Sequence, residues 1–210
     1  MELPNYRPEE IEARSFEILT GLLGGRTLDP VNAPVIKRVI HTTADFDYAD
    51  TLYFSPDAVS IALDALKEGA HIVCDTNMAR SGVNKAALAK LGGQAHCFIA
   101  DDDVAAAASA RGVTRAAVSM EKAARLETPL IFAIGNAPTA LIRLRQLIDE
   151  GAVSPRLVIG VPVGFVNVVE AKELFVDTPI PSIVARGRKG GSNVAAAICN
   201  ALLYLACPRS

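Results

Sequence analysis

Two stretches of this chain carry side chains suited to chemistry. The first is Ala185-Arg186-Gly187-Arg188-Lys189-Gly190-Gly191-Ser192-Asn193, where cations and glycines separate an apolar run from a helix-forming segment that starts at Val194. Glycines let a backbone turn tightly and approach a ligand, and the free N–H groups of a helix start favour negative charge. Arg186, Arg188 and Lys189 would add charge-assisted hydrogen bonds to a carboxylate or phosphate. These residues have the makings of an anion cradle, and they read equally as a solvated basic turn. Their spacing fits neither the P-loop nor the dinucleotide fingerprint.

The second stretch begins at His41, which closes a helical pattern and precedes Thr42-Thr43-Ala44-Asp45-Phe46-Asp47. A helix C-terminus and nearby carboxylates favour the imidazolium form, which a general acid needs at neutral pH. Spacing alone reads His41 first as a residue capping the last turn. His71 opens a strand-like run and His96 lies within one, so both read as structural. Other chemistries lack their residues: there is no GxSxG elbow and no HExxH pair. Cys74, Cys97, Cys199 and Cys207 show no metal-ligand spacing and read as reduced, so no metal site is expected. Asp101-Asp102-Asp103 reads as a helix start, and Glu170 with Glu173 as a solvated helical face.

These residues need a scaffold. The chain has 210 residues, half of them hydrophobic, enough to bury a substantial core as one domain over 1–210. A net charge of −2 argues against general nucleic-acid binding. The acidic, proline-bearing start is no signal peptide, and the apolar tail is too short to span a membrane, so a cytoplasmic protein is expected. Helical patterns over 9–23 and 34–41 form an N-terminal section that could project from the domain. The first has an apolar stripe of Ile11, Ile18, Leu19 and Leu22, interrupted by Ser15 with Arg14 beside it. Ser55-Pro56-Asp57 has the chemistry of a helix start. Apolar strands then recur at 71–75, 95–100, 130–134, 157–161 and 183–185. Helical stretches at 85–91, 104–111, 115–126, 139–150, 168–175 and 194–206 alternate with them. The fold class is therefore α/β, a Rossmann-like, mostly parallel sheet covered by helices.

In such sheets ligands sit beyond the carboxyl ends of the strands. The loops there read Asp75-Thr76-Asn77-Met78-Ala79-Arg80-Ser81-Gly82, Gly135-Asn136-Ala137-Pro138-Thr139, Gly160-Val161-Pro162-Val163-Gly164-Phe165-Val166, and the cationic run. Composition alone reaches an α/β protein that binds a sizeable anionic small molecule.

Taken together, Val39-Ile40-His41-Thr42-Thr43-Ala44-Asp45-Phe46-Asp47, Gly135-Asn136-Ala137-Pro138-Thr139-Ala140-Leu141, the 160–166 loop and the run from Gly187 to Ala197 resemble the precorrin-8X / cobalt-precorrin-8 methylmutases of cobalamin biosynthesis. The likeness spans about 11–205. It implies an isomerase that moves a methyl group from C-11 to C-12 of a tetrapyrrole, giving hydrogenobyrinate or its cobalt form, cobyrinate. It also implies a homodimer with no bound cofactor, in which any cobalt belongs to the substrate. His41 corresponds to the family's catalytic histidine, which displaces the capping reading. Substrate contacts implied on this footing are Arg14, Ser15, Thr76, Ser81, Arg115, Asn136, Thr139, Gly164, Arg186, Gly187, Arg188, Lys189, Gly190 and Ser192. The wording after His41 and in the 187–197 run is closer to the cobalt branch. Val163, Phe165 and Val166 would wall an open cleft for the macrocycle. Two other readings remain open: a non-catalytic tetrapyrrole carrier, and a nucleotide- or phosphate-binding α/β enzyme.

Overall fold

The segment Leu130-Ile131-Phe132-Ala133-Ile134 has no polar position, so it must be covered on both faces. It forms a central strand of a six-stranded sheet in the computed structural model, which describes residues 6–207. The strands are β1 (Leu52–Phe54), β2 (His71–Cys74), β3 (Ala95–His96), β4 (Leu130–Ile134), β5 (Leu157–Gly160) and β6 (Ser182–Ala185). Their order across the sheet is β1-β6-β5-β4-β2-β3, with β1 antiparallel to β6 and every other pair parallel. The carboxyl ends of β2, β4, β5 and β6 therefore share one rim, and the expected α/β sheet is present.

Eleven helices are found among the described residues. They are α1 (Pro8–Leu23), α2 (Ala33–Thr43), α3 (Tyr48–Thr51), α4 (Ala58–Lys67), α5 (Asn77–Gly82), α6 (Lys85–Lys90), α7 (Asp102–Arg111), α8 (Arg115–Ala123), α9 (Pro138–Asp149), α10 (Val168–Glu173) and α11 (Ser192–Ala206). Alternate residues of each strand serve two cores. Ile131 and Ala133 pack with α2, α4 and α11, whereas Leu130, Phe132 and Ile134 pack with α8, α9 and α10. Helix α11 carries an almost unbroken apolar sequence because it lies between the sheet and α2, α4 and α5. Gly82 lets α5 come close to it: a Cβ there would sit 2.7 Å from the Cβ of Ala196.

Four sequence expectations change. The stripe on α1 is not a core face: Leu19 and Leu23 are buried, but Ile11, Ile18 and Leu22 are exposed, because α1 lies against α2 on one side only. Ser55 does not cap a helix. Its hydroxyl accepts the Ser182 amide at 2.8 Å and extends the β1–β6 pairing, and left-handed Asp57 precedes α4 instead. The 95–100 strand shortens to Ala95–His96, since the chain turns with the Asp101 amide on the Phe98 carbonyl. The helix start expected at 101–103 is present, since α7 begins at Asp102, but Asp101 and Asp103 do not cap it through their side chains; both pair with Lys122 at 2.7 Å. Strand β1 and helices α3 and α5 were not expected. The short β1 lacks the length of a periodic signal, and α5 begins where Thr76 accepts the Ala79 amide.

No helix among the described residues is long and apolar enough to cross a membrane. His71 and His96 face each other across β2 and β3, with Nδ1 and Nε2 2.9 Å apart. All four cysteines are free, with Cys74 and Cys199 buried and Cys97 and Cys207 half-buried.

Candidate active site

The chain reverses direction in the sheet between β2 and β4, and there an open α/β sheet leaves a crevice for a ligand. Here the crevice is closed from within. Asp75, which follows β2, is buried, and its carboxylate accepts the amides of Gly135 (2.9 Å), Asn136 (2.8 Å) and Ala137 (2.7 Å) at the start of α9. Burial pushes the Asp75 carboxyl up, and these three amides oppose that shift. A carboxylate of the chain itself thus occupies the position where a bound phosphate would meet a helix N-terminus. That occupancy disfavours the nucleotide reading. Sequence inspection did not single out Asp75, although an acid directly after a buried strand and opposite a Gly-Asn loop was the available signal. Beside it, the hydroxyls of Thr76 and Ser192 meet at 2.8 Å and join the β2 loop to the start of α11.

The rim beyond β5 and β6 is built differently. Gly191 donates to the Val161 carbonyl at 2.9 Å, so the two loops lie against each other. A Cβ on Gly190 would sit 2.1 Å from that same carbonyl oxygen, which is why glycine is needed there. Among the described residues the amides of Gly187, Arg188, Lys189 and Gly190 have no hydrogen-bond partner. The three expected cations are distributed unequally. Arg186 makes two bonds of 3.1 Å to Glu173, and Lys189 reaches both Asp45 and Asp47 at 2.6 Å. Arg188 instead donates to the Phe165 carbonyl at 2.8 Å and sits 5.7 Å from that ring's centroid. Phe165 is 83% exposed, with Val163 and Val166 exposed beside it, so the loop presents an apolar surface next to free N–H groups. Gly164 donates to the Arg188 carbonyl at 3.2 Å.

His41 lies in the last turn of α2, which ends at the left-handed Ala44 and leads into Asp45 and Asp47. Its exposed ring stacks on Phe16 of α1, with centroids 5.0 Å apart and planes at 8°. Arg38, one turn earlier on α2, lies 4.8 Å from the same Phe16 ring and bonds Glu12 at 2.6 Å. Ser15, Ile18, Leu22, His41 and Phe46 line a notch of about 160 Å³ between α1 and α2. Arg14 is exposed and paired with Glu17 at 2.8 Å. Phe16 was not anticipated; its place beside Ser15 was the signal. Lys189 ties the 187–190 loop to the segment that follows His41, and its two carboxylates hold its proton well above the usual lysine range.

Other expected residues are not joined to this group. Arg115 starts α8 and is exposed, and Thr139 accepts a hydrogen bond from the Thr114 hydroxyl at 2.9 Å. A cleft of about 710 Å³ between α8 and α9 includes Thr139, but its charges are already matched. Arg111 and Arg143 both bond Glu121, and these bonds, Arg111's foremost, hold that carboxyl down at about 2. Ser81 is exposed on α5. The backbone N–H of Asn136 donates to Asp75, and the residue is exposed. Among the described residues no group of three or more His, Cys, Asp or Glu side chains could hold a metal ion.

The model of the precorrin-8X methylmutase family matches residues 10–205. The chain belongs to that family. It is 48% identical over 204 residues to the cobalt-precorrin-8 methylmutase of Salmonella typhimurium, covering 94% of this chain and 95% of the relative. Identity to the cobalt-precorrin-8 methylmutase of Priestia megaterium is 44%, with 95% and 89% covered. The fold matches the crystal structure of precorrin-8x methyl mutase from Thermus thermophilus with a TM-score of 0.84 at 40% identity, covering 93% of this chain and 96% of that one. The expected methylmutase resemblance therefore holds along nearly the whole chain.

Proposed function

We propose that this methylmutase-family isomerase moves a methyl group from C-11 to C-12 of cobalt-precorrin-8, with His41 as general acid. The cobalt form is favoured because the relatives at 48% and 44% identity carry that name. One observation carries the acid role: an exposed histidine, held flat against Phe16, opens onto a notch whose adjoining segment is ion-paired to a loop of free amides. Stacking on Phe16 fixes the imidazole plane before substrate arrives, so little ordering is left for the reaction step. His41 lends a proton to the conjugated ring, the ring becomes electron-poor, and the methyl group migrates between adjacent carbons. The proton returns to His41 as product forms. Substrate and product are isomers, so nothing is consumed.

The peripheral carboxylates of the macrocycle meet Arg188 and the 187–190 amides, and its apolar face lies along Phe165 and Val166. A notch of about 160 Å³ holds only an edge of such a ring. The exposed Ile18 and Leu22 line the same notch, and Ile11 is exposed further along α1, so a second copy of the chain completes the wall, and the enzyme is a homodimer. Sedimentation at micromolar concentration reads this directly, and a monomer there would overturn it.

The experiment that tests the activity is incubation of the purified protein with cobalt-precorrin-8 and, separately, with precorrin-8 while the visible spectrum is followed. Gradual conversion beyond one equivalent, with His41→Ala binding the macrocycle but turning over at least about 100-fold more slowly, is the expected result. An immediate change that stops at one equivalent and is equal in both proteins would mean a carrier.

A further inference from the structure

We propose that Lys172 is a positioning residue of the methylmutase site: it holds two carbonyl groups of the 187–190 loop inward and so leaves the loop's amides and Arg188 for the substrate. The inference rests on the reading of that loop as the carboxylate-binding rim. Lys172 lies on α10 with no exposed surface, an unusual place for a lysine. Its ammonium donates to the carbonyl oxygens of Gly187 and Lys189, both at 2.8 Å. The intervening Arg188 carbonyl is taken by the Gly164 amide. Three successive acceptors are thus satisfied from the protein side, while the amides of 187–190 have no partner among the described residues. An anion meeting this loop encounters donors and a guanidinium, while the carbonyl oxygens of Gly187, Arg188 and Lys189 are held by Lys172 and Gly164.

No hydrogen bond or ion pair joins Lys172 to a carboxylate among the described residues, so both its hydrogen bonds go to carbonyl dipoles. Burial pushes its pKa down to about 8, with Glu173 opposing weakly. The charged groups on the elements around it are Glu170 and Glu173 on α10, Arg143, Arg145 and Asp149 on α9, and Arg186, Arg188 and Lys189 on the loop. Lys189 cannot supply a transition near pH 8, because Asp45 and Asp47 hold its proton far higher. Loss of the Lys172 proton weakens its hold on both carbonyls. The effect on folding has the opposite sign. Between about pH 8 and the ordinary lysine value of 10.5 the unfolded chain keeps a proton that the folded chain has lost, so stability rises with pH. A lysine that only supported the fold would show that rise and leave affinity alone.

The test compares wild type, Lys172→Met and Lys172→Arg on cobalt-precorrin-8, with KM and kcat measured separately from pH 7 to 9.5. Lys172→Met should raise KM roughly tenfold or more and change kcat less than about threefold, since the interaction serves binding equally before and during reaction. Lys172→Arg, which retains the charge, should recover part of the loss. Wild-type 1/KM should fall above about pH 8, a limb that Lys172→Met lacks. A folded Lys172→Met with wild-type KM overturns the inference. If that variant does not fold, a wild-type 1/KM that stays flat to pH 9.5 overturns it instead. Absence of turnover by wild type on either macrocycle would show that the methylmutase reading itself had failed.

Discussion

The molecule contains two loops of backbone donors at the same rim of the sheet, and they have opposite fates. At the end of β4 the amides of Gly135, Asn136 and Ala137 converge on Asp75, a carboxylate of the chain itself. At the end of β6 the amides of Gly187 to Gly190 meet no acceptor among the described residues, and the carbonyls of Gly187, Arg188 and Lys189 are tied back by Lys172 and Gly164. Both start from the same chemistry, a glycine-bearing turn leading into a helix. What separates them is the source of the anion. Where the chain supplies it, the loop becomes part of the core; where it does not, the loop is left for a ligand. Glycine-rich turns in such sheets therefore identify binding sites only after the internal acids have been accounted for.

The largest effect that would break this contrast is expected in the open loop. A Cβ on Gly190 would sit 2.1 Å from the Val161 carbonyl oxygen and 2.8 Å from that of Pro162, both backbone atoms that cannot swing aside. Gly190→Ala should separate the two loops and lower stability by on the order of 4 kcal/mol, with binding of the macrocycle lost. Gly187 has a positive φ of 77° but nothing within 4 Å of a Cβ, so Gly187→Ala should cost only about 1 kcal/mol. Melting curves of the two variants check the ordering. Equal losses would mean that the close approach to Val161 is not what shapes the rim.

A smaller effect sharpens the closed loop. Asp75→Ala removes three hydrogen bonds to a buried carboxylate and should destabilise the protein by about 3 kcal/mol. It also leaves the three amides facing a vacancy, so millimolar inorganic phosphate should raise the melting temperature of Asp75→Ala more than that of wild type. Wild type is the necessary reference, because its open 187–190 loop can itself take up phosphate. If phosphate stabilised both proteins equally, Asp75 would not be standing where an external anion could bind.

Much of the scaffold was legible because it depends on period and punctuation. The unbroken apolar run of β4 required a buried parallel strand, and Gly190-Gly191 required a tight approach ahead of α11. The cationic loop was also readable as a candidate site. Its internal wiring was not: Asp45 and Asp47 lie 144 and 142 positions before Lys189, and only the fold brings them together. Lys172 was hidden for a related reason. A lysine between Glu170 and Glu173 on a short helix looks solvated, and its burial follows from the position of α10 beneath the 187–190 loop. The α1 stripe failed in the other direction. An amphipathic pattern shows that an apolar face will be covered, but not whether the cover is the same chain or another copy.

The finest test of the comparison is electrostatic. Asp75 and Asp45 are carboxylates of the two regions, and their proton affinities should move in opposite directions. Burial raises that of Asp75, whereas the Lys189 ammonium lowers that of Asp45. The consequences for pH follow from linkage. Asp45 contributes stability that is present above the unfolded carboxylate value and lost as pH falls through its lower folded value. Asp75 does the reverse: its ionised form is disfavoured in the folded state, so acidification through its raised value relieves a penalty. Carbon-13 carboxyl shifts followed from pH 7 to 2.5 should therefore show Asp75 titrating above the ordinary aspartate value of 3.8 and Asp45 below it. Lys189→Met should bring Asp45 back toward that value and leave Asp75 in place, because only Asp45 is held by a cation from the open loop. If Asp75 followed Asp45 in that variant, the two loops would be one electrostatic unit, and the division between an anion supplied by the chain and one supplied by a ligand would not hold.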